Sequence, residues 1–300
     1  MGAMSSIARG PAQCVWPLAA TLGEGACWSI REQALYFVDI LGKRLHRYTP
    51  ASGARQSWQF GEEISAVAER ADTTGLLVSL RHDLALFDPD SETLTRLHRP
   101  EPERRHNRFN DGKCDAHGRF WAGSTDYACS ASTGALYRFD GNGRCARHLD
   151  QVHIANGPTW SADGRTMFFN ETGHARTWAI DFDPDSGTLG ERRLWLQHDE
   201  AIEGAPDGMT TDAAGHIWIA RWGGSAVTRH DGEGAQQAKI ELPTAHVTSC
   251  AFGGPDLRTL YITTATIGLS DAQRAEQPLA GGLFAIELDI TGVPANRFAG

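Results

Sequence analysis

A phrase recurs along this chain in which a polar residue stands five positions before an Asp or Ser that opens a turn into a strand. One copy reads Glu24-Gly25-Ala26-Cys27-Trp28-Ser29 and another Asn156-Gly157-Pro158-Thr159-Trp160-Ser161, with polar residue, Gly and Trp in the same order. In a second pair Asn110 precedes Asp115 and Asp207 precedes Asp212; each Asp is followed three residues later by Gly (Gly118, Gly215) and six later by Trp (Trp121, Trp218). If repeats stack about an axis, equivalent positions meet. Glu24, Asn110, Asn156 and Asp207 are therefore expected to converge although far apart in sequence.

Short strands rich in aromatic and β-branched residues follow the phrase at 34–39, 75–80, 119–123, 166–170, 216–220 and 259–263. Each is partnered by a second strand, at 44–48, 83–87, 135–139, 177–182, 226–230 and 283–288, so every repeat holds a hairpin. A period of roughly 40 to 50 residues without a long helical segment matches four-stranded propeller blades. The expected fold is all-β, a six-bladed propeller of antiparallel blades. It occupies residues 12–300 as one domain after a flexible N-terminus at 1–11, and the strand at 13–18 closes the ring beside the last hairpin. In the other two copies Ile64 and Thr248 take the polar position and bring little ligand chemistry. The phrase is expected to precede the strand nearest the channel, with Gly25, Gly157 and Gly208 easing close backbone approach. The repeat tryptophans Trp28, Trp121, Trp160 and Trp218 read as core between blades.

The balance of 28 Lys and Arg against 37 Asp and Glu, a formal charge of -9, opposes binding to nucleic acid or an anionic membrane. Six scattered cysteines without C-x-x-C spacing read as free thiols in a reducing, cytoplasmic setting. The start lacks an apolar run of signal-peptide length. A small polar partner fits this composition.

Glu24, Asn156 and Asp207 are oxygen donors, and no His or Cys stands at the equivalent positions. Hard oxygen ligands suit Ca²⁺, Mg²⁺, Mn²⁺ or Fe²⁺, and an ion so held can polarise an ester or lactone carbonyl. Taken singly, Asn-Gly and Asp-Gly are ordinary turn pairs; their common phase in a radial repeat argues for a site. Arg108 reads either as a substrate contact or as a surface ion pair, and Asp111 as a support for its neighbours or a turn former. His46, His82, His117, His148 and His230 lack a carboxylate at readable spacing, whereas His153, His174 and His246 fall nearer the expected channel mouth. No nucleophile elbow, phosphate loop or dinucleotide fingerprint is present.

At these residues the chain resembles the gluconolactonase and regucalcin (senescence marker protein) family over nearly its full length, and bacterial sugar-acid lactonases in particular. The matching motifs are Leu22-Gly23-Glu24-Gly25 before Trp28, Phe37-Val38-Asp39-Ile40, Asn107 through Lys113, Asn156-Gly157, Pro206-Asp207-Gly208-Met209, Cys250 through Gly254 and Pro278 through Gly282. The resemblance implies one divalent metal ion (Ca²⁺, Mg²⁺, Mn²⁺, Zn²⁺ or Fe²⁺) held by Glu24, Asn156 and Asp207. It further implies that Arg108 and Asn110 bind substrate and that Asp207 is the catalytic general base. Animal members place an acidic substrate contact where Ala128 stands here, with Asp126 nearby.

The expected activity is metal-dependent hydrolysis of a small-molecule sugar lactone, an aldonolactone such as glucono-, xylono- or arabinonolactone, to the open sugar acid, by a monomer or weak homo-oligomer. Alternatives are an aldarate (diacid) lactonase using His174, Arg176 and Arg221 at the channel mouth, a broader esterase or phosphotriesterase, and a non-catalytic calcium-binding or sugar-sensing propeller. Lys113, beside Arg108 and Asn110, favours a polar sugar pocket over an apolar ester pocket.

Overall fold

The computed structural model of the chain describes residues 7–300. They form six four-stranded antiparallel sheets arranged as propeller blades. From the axis outward, five blades run in chain order, and the sixth takes its outermost strand from the N-terminus, Gln13–Trp16 pairing antiparallel with Leu283–Glu287. The expected ring closure is thus present. Of the N-terminal residues 1–11 expected to be flexible, 1–6 lie outside the described residues, whereas Ala8 bridges Leu288 and Arg9 ion-pairs with Asp289 at 2.6 Å.

The innermost strands are Gly23–Ser29, Ile64–Glu69, Asn107–Cys114, Ala155–Trp160, Ala205–Thr211 and Val247–Gly253. The repeated phrase lies within these strands instead of preceding them, and the strands expected nearest the channel are second in their blades. The cause is visible in the pairing. Every innermost strand slips register once at or beside the polar position: between Glu24 and Cys27, Ile64 and Ala66, Phe109 and Asp111, Asn156 and Thr159, Pro206 and Met209, and Val247 and Ser249. Such a slip breaks the two-residue alternation that announces a strand in sequence, and it re-aims a side chain.

The far end of the phrase is a turn device. Asp115 accepts from the main-chain N–H groups of His117 and Arg119 and from Trp121 Nε1 at 2.9 Å. Asp212 repeats this with Ala214, His216 and Trp218 Nε1 at 3.0 Å. Gly118 and Gly215, at φ +73° and +82°, make the turn that an L side chain resists. In blades 3 and 5 one end of the innermost strand therefore serves the site and the other fixes a turn and an inter-blade Trp. Trp28 stacks on Tyr261 of blade 6, Trp121 packs on Phe182 of blade 4 and Trp218 on Phe252 of blade 6, while Trp160 is half-buried against Phe182.

Burial grades from axis to rim. Outer strands are largely exposed, Thr93–His98 completely, so hydrophobic pattern does not reveal them. All six cysteines are free, with Cys114 and Cys250 buried and the rest partly so. No helix among the described residues is long and apolar enough to cross a membrane.

Candidate active site

Each innermost strand starts at the same end of the channel, and the register slip turns its polar residue toward the axis. The structure brings Glu24, Arg108, Asn110, Asn156 and Asp207 together there, from blades 1, 3, 4 and 5, with every one of them buried. Arg108 is no surface residue: its Nη1 donates to Asn110 Oδ1 at 2.6 Å and to the carbonyl of Phe109 at 3.1 Å. Asn110 Nδ2 donates across the blade boundary to Asn156 Oδ1 at 3.0 Å and to the Ala155 carbonyl at 2.8 Å. Asn156 Nδ2 continues to Thr172 Oγ1 at 2.8 Å, and that hydroxyl donates to the Pro206 carbonyl at 2.7 Å. A guanidinium only donates and a carbonyl only accepts, so the two ends fix the orientation of both amides. Asn156 consequently presents its oxygen, not its nitrogen, to the axis.

The carboxylates are in a costly environment. Burial, then the nearby charges of Asp207 and Asp111, hold Glu24 well above the usual carboxylate range, against the opposing pull of the Gly25 N–H and Arg108. Asp207 is raised well above its ordinary value by burial and by Asp111, with Arg108 and the Gly208 N–H opposing. Asp111 is pushed up to about 6 by burial, although Lys113 and two main-chain donors favour its charge. Its two oxygens accept from Gly112 N at 2.7 Å and Gly157 N at 2.9 Å, so it joins blade 3 to blade 4 at the bulge of Asn156 and is no turn former.

Among the described residues no three or more His, Cys, Asp and Glu side chains stand in a metal-holding group. The carboxylates alone therefore make no cage, and a site needs the neutral amide oxygen of Asn156 beside them. The donor set fits a hard divalent cation: two buried carboxylates are both held above their ordinary range, Glu24 in part by the charge of Asp207, and the Asn156 amide is fixed in orientation by Asn110 and Thr172.

Several expected contacts sit elsewhere. Lys113 points down the channel and donates to the Met209 carbonyl, bridging blades 3 and 5. Arg221 is no mouth cation: it is fully buried within blade 5, bonded to His198, His230 and Thr228 and paired with Glu203, because its strand position opposite Pro206 directs it into the blade interior. Arg176 lies over Trp178 and bonds Gln197, while half-exposed His174 sits 4.0 Å from Glu171 and edge-on to His153. His153 Nε2 meets the Cys129 carbonyl, and His246 stacks on Trp222 with centroids 4.0 Å apart. Asp126 is tied to Ser130 and Ala128 is exposed. On that side Tyr127 donates to Glu63 Oε1 at 2.9 Å and carries Arg81 over its ring. Sequence reasoning missed Thr172 and Asn170; the available signal was the place of Asn170 near the end of the second strand of blade 4, opposite Asn156 in the ladder, with Thr172 opening the turn that follows.

A family model described as the SMP-30/Gluconolactonase/LRE-like region matches residues 22–266. The chain is 36% identical over 288 residues to the 6-deoxy-6-sulfogluconolactonase of Pseudomonas putida, covering 96% of this chain and 98% of that one. It is 35% identical over 283 residues to the L-arabinolactonase of Azospirillum brasilense, covering 93% of each. Its fold superposes on the crystal structure of a calcium-binding protein, regucalcin, from Agrobacterium tumefaciens with a TM-score of 0.92 at 28% identity, over 96% of this chain and 97% of that one. With a model matching most of its length and lactonase relatives aligned end to end, the chain belongs to the SMP-30/gluconolactonase/LRE-like family.

Proposed function

We propose that this protein hydrolyses a sugar lactone, an aldonolactone of the glucono-, xylono- or arabinono- type, to the open sugar acid, with one divalent cation held by Glu24, Asn156 and Asp207. The observation that supports this reading is that buried Asn156 bonds to the Arg108–Asn110 pair while buried Glu24, from another blade, feels the charges of Arg108 and of Asp207 from a third. The lactonase names of full-length relatives support the reaction class.

The cation, when bound, supplies Lewis-acid polarisation of the lactone carbonyl. Asp207 acts as general base, taking a proton from water as the water oxygen adds to the carbonyl carbon. The bond between that carbon and the ring oxygen then breaks, and the proton passes to the ring oxygen, which leaves as a hydroxyl of the same molecule. Arg108, with one nitrogen committed to Asn110 and Phe109, offers the rest of its donor fork to sugar oxygens. The buried Asn110 holds that guanidinium in place through its side-chain oxygen.

The test is proton release from a panel of sugar lactones by metal-stripped protein, and by protein resupplied with Ca²⁺, Mg²⁺, Mn²⁺, Zn²⁺ or Fe²⁺, against spontaneous hydrolysis. Metal-dependent acceleration is expected, and Asp207→Ala should abolish it together with metal binding. Metal binding with no acceleration of any lactone would assign a binding or sensing propeller instead.

A further inference from the structure

We infer that Arg221, His198, Thr177 and Asn170 form a one-directional hydrogen-bond chain that positions the main chain of Asp207, so that residues outside the site set its geometry. The inference rests on the reading of Asp207 as a ligand and general base.

The chain starts at a group with no acceptor. Arg221 Nη1 lies 2.7 Å from His198 Nδ1, which must therefore be the unprotonated nitrogen, leaving the ring proton on Nε2. His198 Nε2 is 2.8 Å from Thr177 Oγ1, and that hydroxyl, accepting from the ring, has its single hydrogen for Asn170 Oδ1 at 2.6 Å. Asn170 Nδ2 then donates to the Asp207 carbonyl at 2.6 Å. The far end is a main-chain oxygen that only accepts, so donor direction is fixed from both ends. A reversed chain would leave two donors facing each other at Arg221. Glu203 Oε2 stands 3.7 Å from His198 Nδ1, too far to reclaim that nitrogen by a hydrogen bond.

Asp207 needs this support because its own ladder is broken. The register slip between Pro206 and Met209 takes residues 207 and 208 out of pairing with the second strand of blade 5. A buried carbonyl in such a gap requires another donor, and Asn170, from the neighbouring blade 4, provides it. The four chain members are buried, with Asn170, Thr177 and Arg221 fully enclosed. His198 is held neutral, its pKa lowered to about 3 by burial and then by the charge of Arg221. The same guanidinium fixes His230 in the opposite form: Arg221 Nη2 donates to its Nε2 at 3.0 Å, so its proton sits on Nδ1, 3.0 Å from the Gly234 carbonyl.

Two measurements on the full chain test this. Long-range ¹⁵N–¹H correlation spectra should show neutral His198 protonated on Nε2 and neutral His230 on Nδ1; an Nδ1-protonated His198 reverses the chain and overturns the inference. In parallel, Mn²⁺ affinity is measured for Thr177→Val, Thr177→Ser and Asp207→Asn, with metal-free melting curves as a folding control. Outer contacts of metal ligands typically carry about 10- to 100-fold in affinity. Thr177→Val is expected to weaken Mn²⁺ binding about 10-fold and lower kcat more than it changes KM, and Thr177→Ser to restore both. Should Thr177→Val fail to fold, His198→Gln replaces it as a probe, since its amide keeps an acceptor and a donor separated by one carbon as in the ring, and wild-type affinity is expected; a 10-fold loss there overturns the chain. Wild-type Mn²⁺ affinity in folded Thr177→Val, with binding lost in Asp207→Asn, overturns the inference and leaves the site reading standing. Unchanged binding in Asp207→Asn overturns the site reading and the inference with it.

Discussion

Glu24 accepts one main-chain hydrogen bond, from Gly25 at 3.1 Å, and faces the charges of Asp207 and Asp111, which outweigh the pull of Arg108. A carboxylate whose folded pKa is raised contributes stability that is fully present below its unfolded value, near 4.3, and is lost as pH rises through the folded value. Without metal at neutral pH, Glu24 is therefore a local destabiliser. Glu24→Gln is expected to raise the melting temperature of metal-stripped protein by roughly 2–4 °C and to lose the rise that added metal gives the parent. Calorimetry with and without Mn²⁺ reads both, and a variant still stabilised by metal contradicts the ligand role. His46 has the opposite sign. It is enclosed between Phe37 and Trp16, bonded to Ser57 Oγ at 2.7 Å, and burial lowers its pKa to about 4. Its neutral form is the native one, so stability is complete above about 6.5 and falls as pH drops toward 4, by about 3 kcal/mol over the whole window. Urea titrations at stepped pH should show this acid limb shrink in His46→Leu.

At the scale of the element, the site is built from defects. An unbroken innermost strand would alternate its side chains between the two blade faces, and the slips at Glu24, Asn156 and Asp207 point them at the axis. Gly25 makes the slip of blade 1 possible: it has φ +60°, and a Cβ there would lie 3.2 Å from the Ser65 carbonyl of blade 2. Gly25→Ala is expected to cost about 1–3 kcal/mol and to weaken metal binding through displacement of Glu24. Gly53→Ala is the matched control, with φ +68° and nothing within 4 Å of the added atom. It should show only the backbone cost in urea unfolding and keep metal affinity. These elements also mark what could be read before the structure. Glu24, Asn110, Asn156 and Asp207 were legible because blade repetition puts them at one phase. The slips were not, since a bulge erases the alternation by which a strand is recognised. The chain from Arg221 to Asn170 was illegible for a different reason: its members lie in two blades, obey no period, and gain their meaning from which atoms donate.

The whole ring is held by two long-range devices. The N-terminal strand completes blade 6, and its Trp16 packs on Phe37 of blade 1. This was foreseeable, because a propeller edge demands a partner. The second device was not, because the segment at 291–299 makes single contacts in place of a ladder. It crosses the turn end of the channel, opposite the site. Thr291 accepts from Ala213 N at 2.9 Å in blade 5, and Gly292 donates to Leu257 O at 2.8 Å in blade 6. Asn296 donates to the Cys114 carbonyl at 3.2 Å in blade 3, and Phe298 exchanges main-chain bonds with Glu69 and Ala71 of blade 2 at 2.7 Å each. Between this crossing and the site lies a cavity of about 420 Å³ lined in part by Gly25, Asp111, Lys113 and Asn296. Phe298 anchors the crossing, buried and stacked on Phe139 with centroids 5.6 Å apart. Truncating such a ring forfeits its transfer free energy and leaves a void, so Phe298→Ala should destabilise the protein by about 3–5 kcal/mol. Because the site hangs from the other end of the innermost strands, the folded fraction should keep its Mn²⁺ affinity and its kcat well below the new melting temperature. A urea midpoint like the parent's would show that the crossing adds no stability to the ring, whereas a lower midpoint accompanied by a lost Mn²⁺ affinity at low temperature would show that the two ends of the channel are coupled.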